Sequence, residues 1–211
     1  MWTDISMVIL ILTNMAVLGT SRLRACIRIV AVQGVALGIL PLLIHRFEPG
    51  LLVFAFLSII LKGIIFPMML GRTLRQLNVW REDAPYVGYG LSLLVGPLLL
   101  AFSSWISPRL PLPYSVHSPM LIPVALFTLM NGLYVIVSRK NALTQVLGYL
   151  VLENGIYAFG MAVAYHQPLL IELGILLDVF VGVFVMGIAI FHISRQFDHI
   201  DTDQLTMLRD H

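Results

Sequence analysis

The sequence predicts an all-α integral membrane protein with about seven transmembrane helices, its N-terminus outside and its C-terminus inside. Three observations lead to this fold class. Hydrophobic residues make up 59% of the 211 residues and charged residues only 11%, with a mean hydropathy of +0.92, whereas soluble domains carry about 45–50% apolar and about 25% charged residues. Seven stretches are long and apolar enough to cross a bilayer. The segments between those stretches alternate between many and few basic residues.

The composition also excludes several functional classes, namely a soluble enzyme, a disordered tail protein and a nucleic-acid-binding protein. The formal charge is +2, but the basic residues are scattered rather than gathered into a phosphate-binding face. The single cysteine, Cys26, cannot form an internal disulfide, a four-cysteine iron–sulfur site or a CxxC redox pair. Nucleotide, dinucleotide, zinc-protease and serine-hydrolase motifs are absent from the sequence. We therefore expect neither a cofactor nor a metal in this chain.

The predicted spans follow one another with short polar separators that contain charged residues, prolines and glycines. The first is the shortest, and we interpret it as a retained helix rather than a secretory signal, because it lacks a basic leading segment and a cleavage site. The chain divides into a four-helix region over 1–117, a three-helix region over 118–194 and a polar cytoplasmic tail over 195–211. The predicted spans are 5–20, 27–44, 51–70, 89–106, 120–137, 143–165 and 169–193.

The orientation follows from the lysines and arginines. With the N-terminus outside, ten basic residues fall in the inside segments and two in the outside segments, while Lys62 lies within a span. This bias alternates correctly across every loop, as the positive-inside rule requires. The inside residues are Arg22, Arg24, Arg28, Arg72, Arg75, Arg81, Arg139, Lys140, Arg195 and Arg209, and the outside residues are Arg46 and Arg109.

One lysine and three acidic residues lie inside the predicted spans, where an isolated charge costs about 2.5–3.5 kcal/mol or more. Counted along a helix, Glu153 lies about 15 Å into its span, Asp178 about 14 Å and Lys62 about 16 Å, near the midplane of a hydrocarbon core about 30 Å thick. Three charges at one depth predict a lateral chain of proton-transfer groups in the membrane plane. A buried polar clamp between helices is the alternative. Glu172 lies near the outer boundary and is expected at a wetted helix end.

Neighbouring residues fit proton handling. Tyr149, Glu153 and Tyr157 are spaced at i, i+4 and i+8, so they share one helix face, and the tyrosine hydroxyls can satisfy a carboxyl group. Simple packing is the alternative role for the tyrosines. Pro67 has no N–H to donate to the carbonyl one turn back, so it predicts a kink close to Lys62.

Other polar residues in or near the spans have less specific expectations. His192, at the inner end of the seventh span, is a candidate to pass protons between water and Asp178, although histidines at span ends more often lie at the membrane interface. Asn14 and Gln33 are expected to form hydrogen bonds between helices.

The last three predicted spans resemble NuoK, the small three-helix subunit of respiratory complex I, and its relative MrpC of multi-subunit cation/proton antiporters. The resemblance rests on two acidic residues inside spans and on the tail. Glu153 lies mid-span within the run 148–154, and Asp178 is the first residue of the run 178–182, which is followed by a polar tail over 195–201. The whole chain resembles HyfE, the component E membrane subunit of hydrogenase-4-type complexes, in which a NuoK-like half is preceded by additional helices.

The resemblance implies a non-catalytic subunit of a complex I-related hydrogenase or oxidoreductase in a prokaryotic inner membrane. Glu153 matches the first of two membrane carboxylates in the family's proton-transfer chain, and Asp178 stands for the second, where the family usually has glutamate. Lys62 has no counterpart in NuoK. The implied partners are large antiporter-like subunits, a quinone- or hydrogenase-proximal membrane subunit and peripheral hydrogenase-like subunits, which would hold the nickel–iron and iron–sulfur centres. An antiporter component, a self-sufficient transporter and a purely structural scaffold stay open as alternatives.

Overall fold

A computed structural model of the chain describes residues 2–44, 49–76, 80–82, 85–110 and 118–163. Across these ranges the regular secondary structure is helical, and the one β-type pairing is an isolated backbone bridge between Arg22 and Arg81. The elements are α1 (Trp2–Gly19), α2 (Leu23–Ile44), α3 (Pro49–Ile60), a π-helical turn (Leu61–Ile65), α4 (Phe66–Gln76), α5 (Tyr89–Ile106), a 3-10 turn (Ser107–Arg109), α6 (Leu121–Ser138) and α7 (Ala142–Val163).

Six helices in the described part of the chain are long and apolar enough to cross a membrane, with α3, the π turn and α4 forming one continuous span. They correspond to the first six predicted spans, and the chain is a multi-pass membrane protein. The two largest extensions past the predicted limits reach Leu23 and Gln76, because arginines at a helix end can stay helical while their long side chains reach the polar interface. The seventh predicted span and the tail lie outside the described residues, so the count of seven and the orientation stay predictions.

The buried side chains form three layers along the helix axes. The arginine-end cluster lies where the chain carries most of its arginines, and the far-end cluster lies at the opposite end of the helices; both are apolar. The arginine-end cluster includes Val17, Leu18, Leu23, Cys26, Ile27, Val30, Phe66, Leu70, Leu74, Val135, Leu143, Val146, Leu147, Leu150 and Val151. The far-end cluster includes Met7, Leu10, Leu37, Leu40, Leu121, Val124, Ala125, Ala158 and Met161.

Between the two clusters lies a polar layer, contributed by five of the six spans. On α2, for example, Val30 belongs to the arginine-end cluster, Gln33 to the polar layer and Leu37 to the far-end cluster. Seven buried residues make up the polar layer: Asn14, Gln33, Lys62, Thr128, Asn131, Glu153 and Asn154. Polar groups in the hydrocarbon region of a membrane protein are tolerated where they face the bundle interior, and the layer follows this rule.

Glycines bring α6 and α7 into close contact beside this layer. A Cβ atom on Gly132 would overlap the backbone of Leu152, and one on Gly155 would overlap the backbone of Leu129. Small residues at such a crossing let two membrane helices approach closely. The contact fixes the position of Glu153, which lies between Leu152 and Gly155 along α7.

Helix α5 packs against α1 and α6 and exposes large apolar side chains. These include Leu91, Leu93, Leu94, Leu98, Phe102 and Trp105. A helix that is apolar on its outer face is suited to contact lipid tails.

Candidate functional site

The candidate site is centred on an ion pair between two buried residues. Lys62 Nζ lies 2.6 Å from Glu153 Oε1, and the two residues are 5% and 2% exposed. Both were expected at mid-depth from sequence, and the structure brings them together across two spans. Each charge compensates the other, which a charge in a low-dielectric setting requires.

Lys62 lies in the π turn that interrupts its span. The turn ends with a hydrogen bond from the backbone N–H of Phe66 to the carbonyl oxygen of Leu61, one residue longer than an α-helical bond. Pro67 follows directly and cannot donate a backbone hydrogen bond. The interruption that the proline predicted therefore takes the form of a π turn, a feature that occurs often at functional sites.

A glycine on α2 makes room for the lysine. A Cβ atom on Gly34 would lie 2.6 Å from the Cβ atom of Lys62 and close to its backbone. Because Gly34 lacks a side chain, α2 approaches the π turn closely. This approach also carries the neighbouring Gln33 into the polar layer.

A chain of amide side chains extends from the ion pair. Lys62 Nζ donates to Asn154 Oδ1 at 3.4 Å, Asn154 Nδ2 donates to Gln33 Oε1 at 3.2 Å, and Gln33 Nε2 donates to Asn14 Oδ1 at 3.1 Å. The expectation that Asn14 and Gln33 form hydrogen bonds between helices is confirmed. Three spans are thereby joined to α7 through side chains alone.

The amide chain continues to α6. Asn131 Nδ2 donates to Asn14 Oδ1 at 2.9 Å, and Asn14 Nδ2 donates to Thr128 Oγ1 at 2.8 Å. Sequence reasoning assigned no role to Asn131, Thr128 or Asn154. The signal that identified Asn14 and Gln33, an amide deep inside an apolar helix, also applies to Asn131 and Asn154.

The two tyrosines of the predicted α7 face have different surroundings. The Tyr157 ring centroid lies 4.8 Å from Lys62 Nζ, so the aromatic face contributes a cation–π interaction to the site. Tyr149 is half-buried and packs against the arginine-end cluster. The structure thus places Tyr157 at the ion pair and against the far-end cluster, and Tyr149 against the arginine-end cluster.

The other predicted proton-transfer residues, Asp178, Glu172 and His192, lie outside the described residues, and their roles stay predictions. Within the described ranges, no three side chains of the types that bind metals come together to form a metal site.

A second buried ion pair lies at the arginine end of the bundle. Arg139 Nε is 4.0 Å from Glu82 Oε2, and Arg139 is 1% exposed. Arg139 follows α6 and donates to the backbone carbonyls of Leu18 at 2.9 Å and Val87 at 3.3 Å. It thereby ties α6 to the end of α1 and to the segment before α5.

Glu82 is held by backbone as well. Its Oε1 accepts from the backbone N–H groups of Lys140 at 2.9 Å and Asn141 at 3.2 Å. The Tyr89 hydroxyl donates to Glu82 Oε2 at 3.2 Å, and the Tyr89 ring lies 4.2 Å from the Arg139 guanidinium carbon. Sequence reasoning used Arg139 only as an inside charge and gave Glu82 no role, because nothing in their spacing indicates that the two loops meet.

Comparisons with known proteins place the chain in a family. Residues 120–210 match the family described as NADH-ubiquinone/plastoquinone oxidoreductase chain 4L. The chain is 32% identical over 206 residues to the uncharacterized protein Rv0085 of Mycobacterium tuberculosis, covering 95% of this chain and 93% of that protein. It is 27% identical over 159 residues to Hydrogenase-4 component E of Escherichia coli K12, covering 75% of this chain and 74% of that protein, with the same figures for Hydrogenase-4 component E of Shigella flexneri.

No solved structure gives a significant match to the chain. The family match and the relatives agree with the resemblance carried by the mid-span glutamate and its surroundings. The chain belongs to the hydrogenase-4 component E type of membrane subunit, within the complex I superfamily.

Proposed function

We propose that this chain is an integral subunit of a complex I-related membrane-bound hydrogenase or oxidoreductase, and that its polar layer is one segment of a proton path in the membrane plane. The observation that carries the proposal is the 2.6 Å ion pair between Lys62 and Glu153, buried within the apolar spans. A buried carboxylate paired with a lysine is a typical element of proton relays in membrane proteins. Sodium in place of protons is compatible with the same groups.

The layered core supports a lateral direction for this path. The arginine-end cluster closes the polar layer on one side and the far-end cluster closes it on the other. A pore along the helix axes would require polar groups to replace part of these clusters, since charge is costly in apolar surroundings. Transfer within the layer requires no such replacement.

The role proposed for each group depends on whether its side chain can exchange a proton. Glu153 accepts and releases a proton, and Lys62 stabilises its ionised form. Protonation of Glu153 neutralises the carboxylate of the ion pair, and the ammonium group keeps its contacts with Asn154 and the Tyr157 ring. Amide side chains carry no readily exchanged proton charge, and Gln33 and the asparagines therefore position Lys62 rather than relay protons.

The sequence-derived residues complete the proposed path. Asp178 is the second mid-depth carboxylate, Glu172 lies toward the outer boundary, and His192 leads from Asp178 to the inner aqueous phase. Tyr149 and Tyr157 flank Glu153 on α7. We assign these roles to the residues by their depth along the predicted spans.

We propose the following placement for the chain in the cell. It spans a prokaryotic inner membrane seven times, with the N-terminus outside, the four-helix region over 1–117, the NuoK-like region over 118–194 and a cytoplasmic tail over 195–211. Its partners are large antiporter-like subunits, a quinone- or hydrogenase-proximal membrane subunit and peripheral hydrogenase-like subunits. The nickel–iron and iron–sulfur centres belong to those partners, and this chain contributes no active site of its own.

The test uses the purified assembly reconstituted in liposomes, with Glu153→Gln and Asp178→Asn as separate variants. We expect each variant to assemble and to retain redox turnover while proton pumping, followed by a pH-sensitive dye, is lost. Glu82→Gln is the matched control, because it neutralises a buried carboxylate outside the polar layer. It should weaken assembly but leave pumping per intact complex unchanged.

Unchanged pumping in both the Glu153 and Asp178 variants would refute the relay and favour a structural scaffold. A cation/proton antiporter component is a separate outcome: the co-purified subunits would then contain no nickel or iron, and the assembly would exchange Na⁺ for H⁺ without an electron donor.

A further inference from the structure

A cavity of about 550 Å³ lies between α2 and the span formed by the π turn and α4, at the arginine end of the bundle. This cavity is a separate site from the ion pair, because neither Lys62 nor Glu153 lines it. The lining residues are Arg24, Ile27, Arg28, Gly63, Ile64, Pro67, Met68, Gly71, Arg72, Leu74 and Arg75.

Four arginines surround this cavity, and none of its described lining residues is acidic. Arg24 and Arg28 are one turn apart on α2, and Arg72 and Arg75 are one turn apart on α4, so each pair projects to one side of its helix. All four are exposed. Like charges at this spacing repel one another, and an anion between the two helices would remove that repulsion.

The rest of the cavity is apolar. Ile64 and Met68 are 50% and 52% exposed, and with Gly63 and Pro67 they continue the cavity from the arginines toward the membrane centre. The cavity is therefore amphipathic along the membrane normal, with charge at one end and hydrocarbon at the other.

The depth of the arginines matches that of lipid headgroups. Arg72 lies about 15 Å along the helix from Lys62. Since Lys62 is near the midplane of a hydrocarbon core about 30 Å thick, Arg72 and Arg75 lie at its polar boundary. Phosphate groups of lipids occupy this level.

We propose that this cavity binds an anionic phospholipid, its phosphate on the arginines and an acyl chain along Ile64 and Met68. Guanidinium groups bind phosphate oxygens through paired hydrogen bonds as well as charge, and basic pockets between transmembrane helices bind such headgroups. A free phosphate would use the arginines but not the apolar part. An acidic protein segment would not need a continuous apolar groove.

The first experiment measures lipid binding to the intact purified assembly by native mass spectrometry, with added phosphatidylglycerol, cardiolipin or phosphatidylcholine. The cavity variant is Arg28→Gln with Arg72→Gln, and the control is Arg22→Gln with Arg81→Gln, which removes the same charge at the same end outside the cavity. We expect the cavity variant to lose about fivefold in anionic-lipid affinity per arginine and the control to retain it. Equal losses in both variants, or no preference over phosphatidylcholine, would overturn the proposal, as would equally effective competition by inorganic phosphate.

The second experiment identifies the occupant in cells with a photo-crosslinking amino acid at Met68, and at Leu98 on α5 as a control for general lipid contact. Anionic phospholipid should be enriched in the Met68 adducts relative to the Leu98 adducts. Adducts at Met68 with a partner subunit, or with residues 164–211 of this chain, would show that protein fills the cavity and would contradict the lipid site.

Discussion

The two buried ion pairs of this protein differ in what surrounds them. The contacts of the Lys62–Glu153 pair include two side chains, the Asn154 amide and the Tyr157 ring. Arg139 and Glu82 instead bind four backbone groups in addition to each other. The first pair lies within the apolar spans on an interrupted helix, and the second lies where loops meet at the arginine end.

We infer that the Lys62–Glu153 pair can accommodate a change of charge, whereas the Arg139–Glu82 pair holds helices and loops together. A side-chain amide and an aromatic ring can rotate when the charge of Glu153 changes. The carbonyls that accept from Arg139 belong to the backbone, at Leu18 in the last turn of α1 and at Val87 just before α5, so loss of the arginine leaves these acceptors unsatisfied. We therefore expect the Arg139 pair to dominate stability and the Lys62 pair to dominate coupled transport.

The largest effect is expected for Arg139→Gln, because it leaves the buried Glu82 carboxylate without its counter-charge. Removing one partner of a buried pair destabilises a protein by about 3–5 kcal/mol. The measurement is denaturant unfolding of the purified full chain in detergent, with the amount of chain in membranes as a second readout. Arg81→Gln, at an exposed position, is the control and should change little.

Double variants make this comparison sharper. Arg139→Met with Glu82→Gln should still be destabilised, by about 1–3 kcal/mol for each buried carbonyl that loses its donor. Lys62→Met with Glu153→Gln should be near neutral for stability, within about 1 kcal/mol, since apolar or neutral replacements of a buried pair are often tolerated. Equal losses in the two double variants would contradict the distinction between the pairs.

A smaller effect on stability is expected for Gly34→Ala, which places a methyl group against Lys62. Overpacking of this kind costs about 1–3 kcal/mol, and the displaced lysine should reduce proton pumping in the reconstituted assembly. Gly71→Ala is the matched control, since no described atom lies within 4 Å of a Cβ atom there. Normal pumping by Gly34→Ala would show that the position of Lys62 is not critical.

The smallest effect is expected at Tyr157. Tyr157→Phe keeps the aromatic face over Lys62, whereas Tyr157→Leu removes a cation–π interaction worth about 0.5–2 kcal/mol. A double-mutant cycle with Lys62→Met isolates that interaction energy from other effects of the substitution. A coupling energy of zero between Tyr157→Leu and Lys62→Met would show that the Tyr157 ring does not stabilise Lys62.

Much of the fold could be predicted because span length and hydropathy are local properties. The depth of Lys62 and Glu153 was also predictable, since an α-helix rises by a fixed amount per residue. The direction of each side chain around its helix depends on packing against other spans. Sequence reasoning therefore indicated that the two charges share a depth, but not that they contact each other.

The remaining features depend on contacts between distant segments. Glu82 and Arg139 belong to separate loops, and neither loop carries a signal for the other. Pro67 indicated a missing backbone donor, but neither the π turn nor the close approach of Lys62 to Gly34 on another span could be predicted from that signal. Asn131 carried the same signal as Asn14, so a systematic search for amides in apolar helices could have found it.

The layered core also has an electrical consequence. A charge that crosses the whole membrane changes its energy by about 2.3 kcal/mol per 100 mV, but a charge that moves parallel to the surface stays at one potential. In the described spans the polar layer lies between two apolar clusters, and the proposed proton path would therefore follow an equipotential plane. The membrane voltage then acts mainly on the steps that connect this plane to water on either side, and those steps would carry the voltage dependence of the assembly.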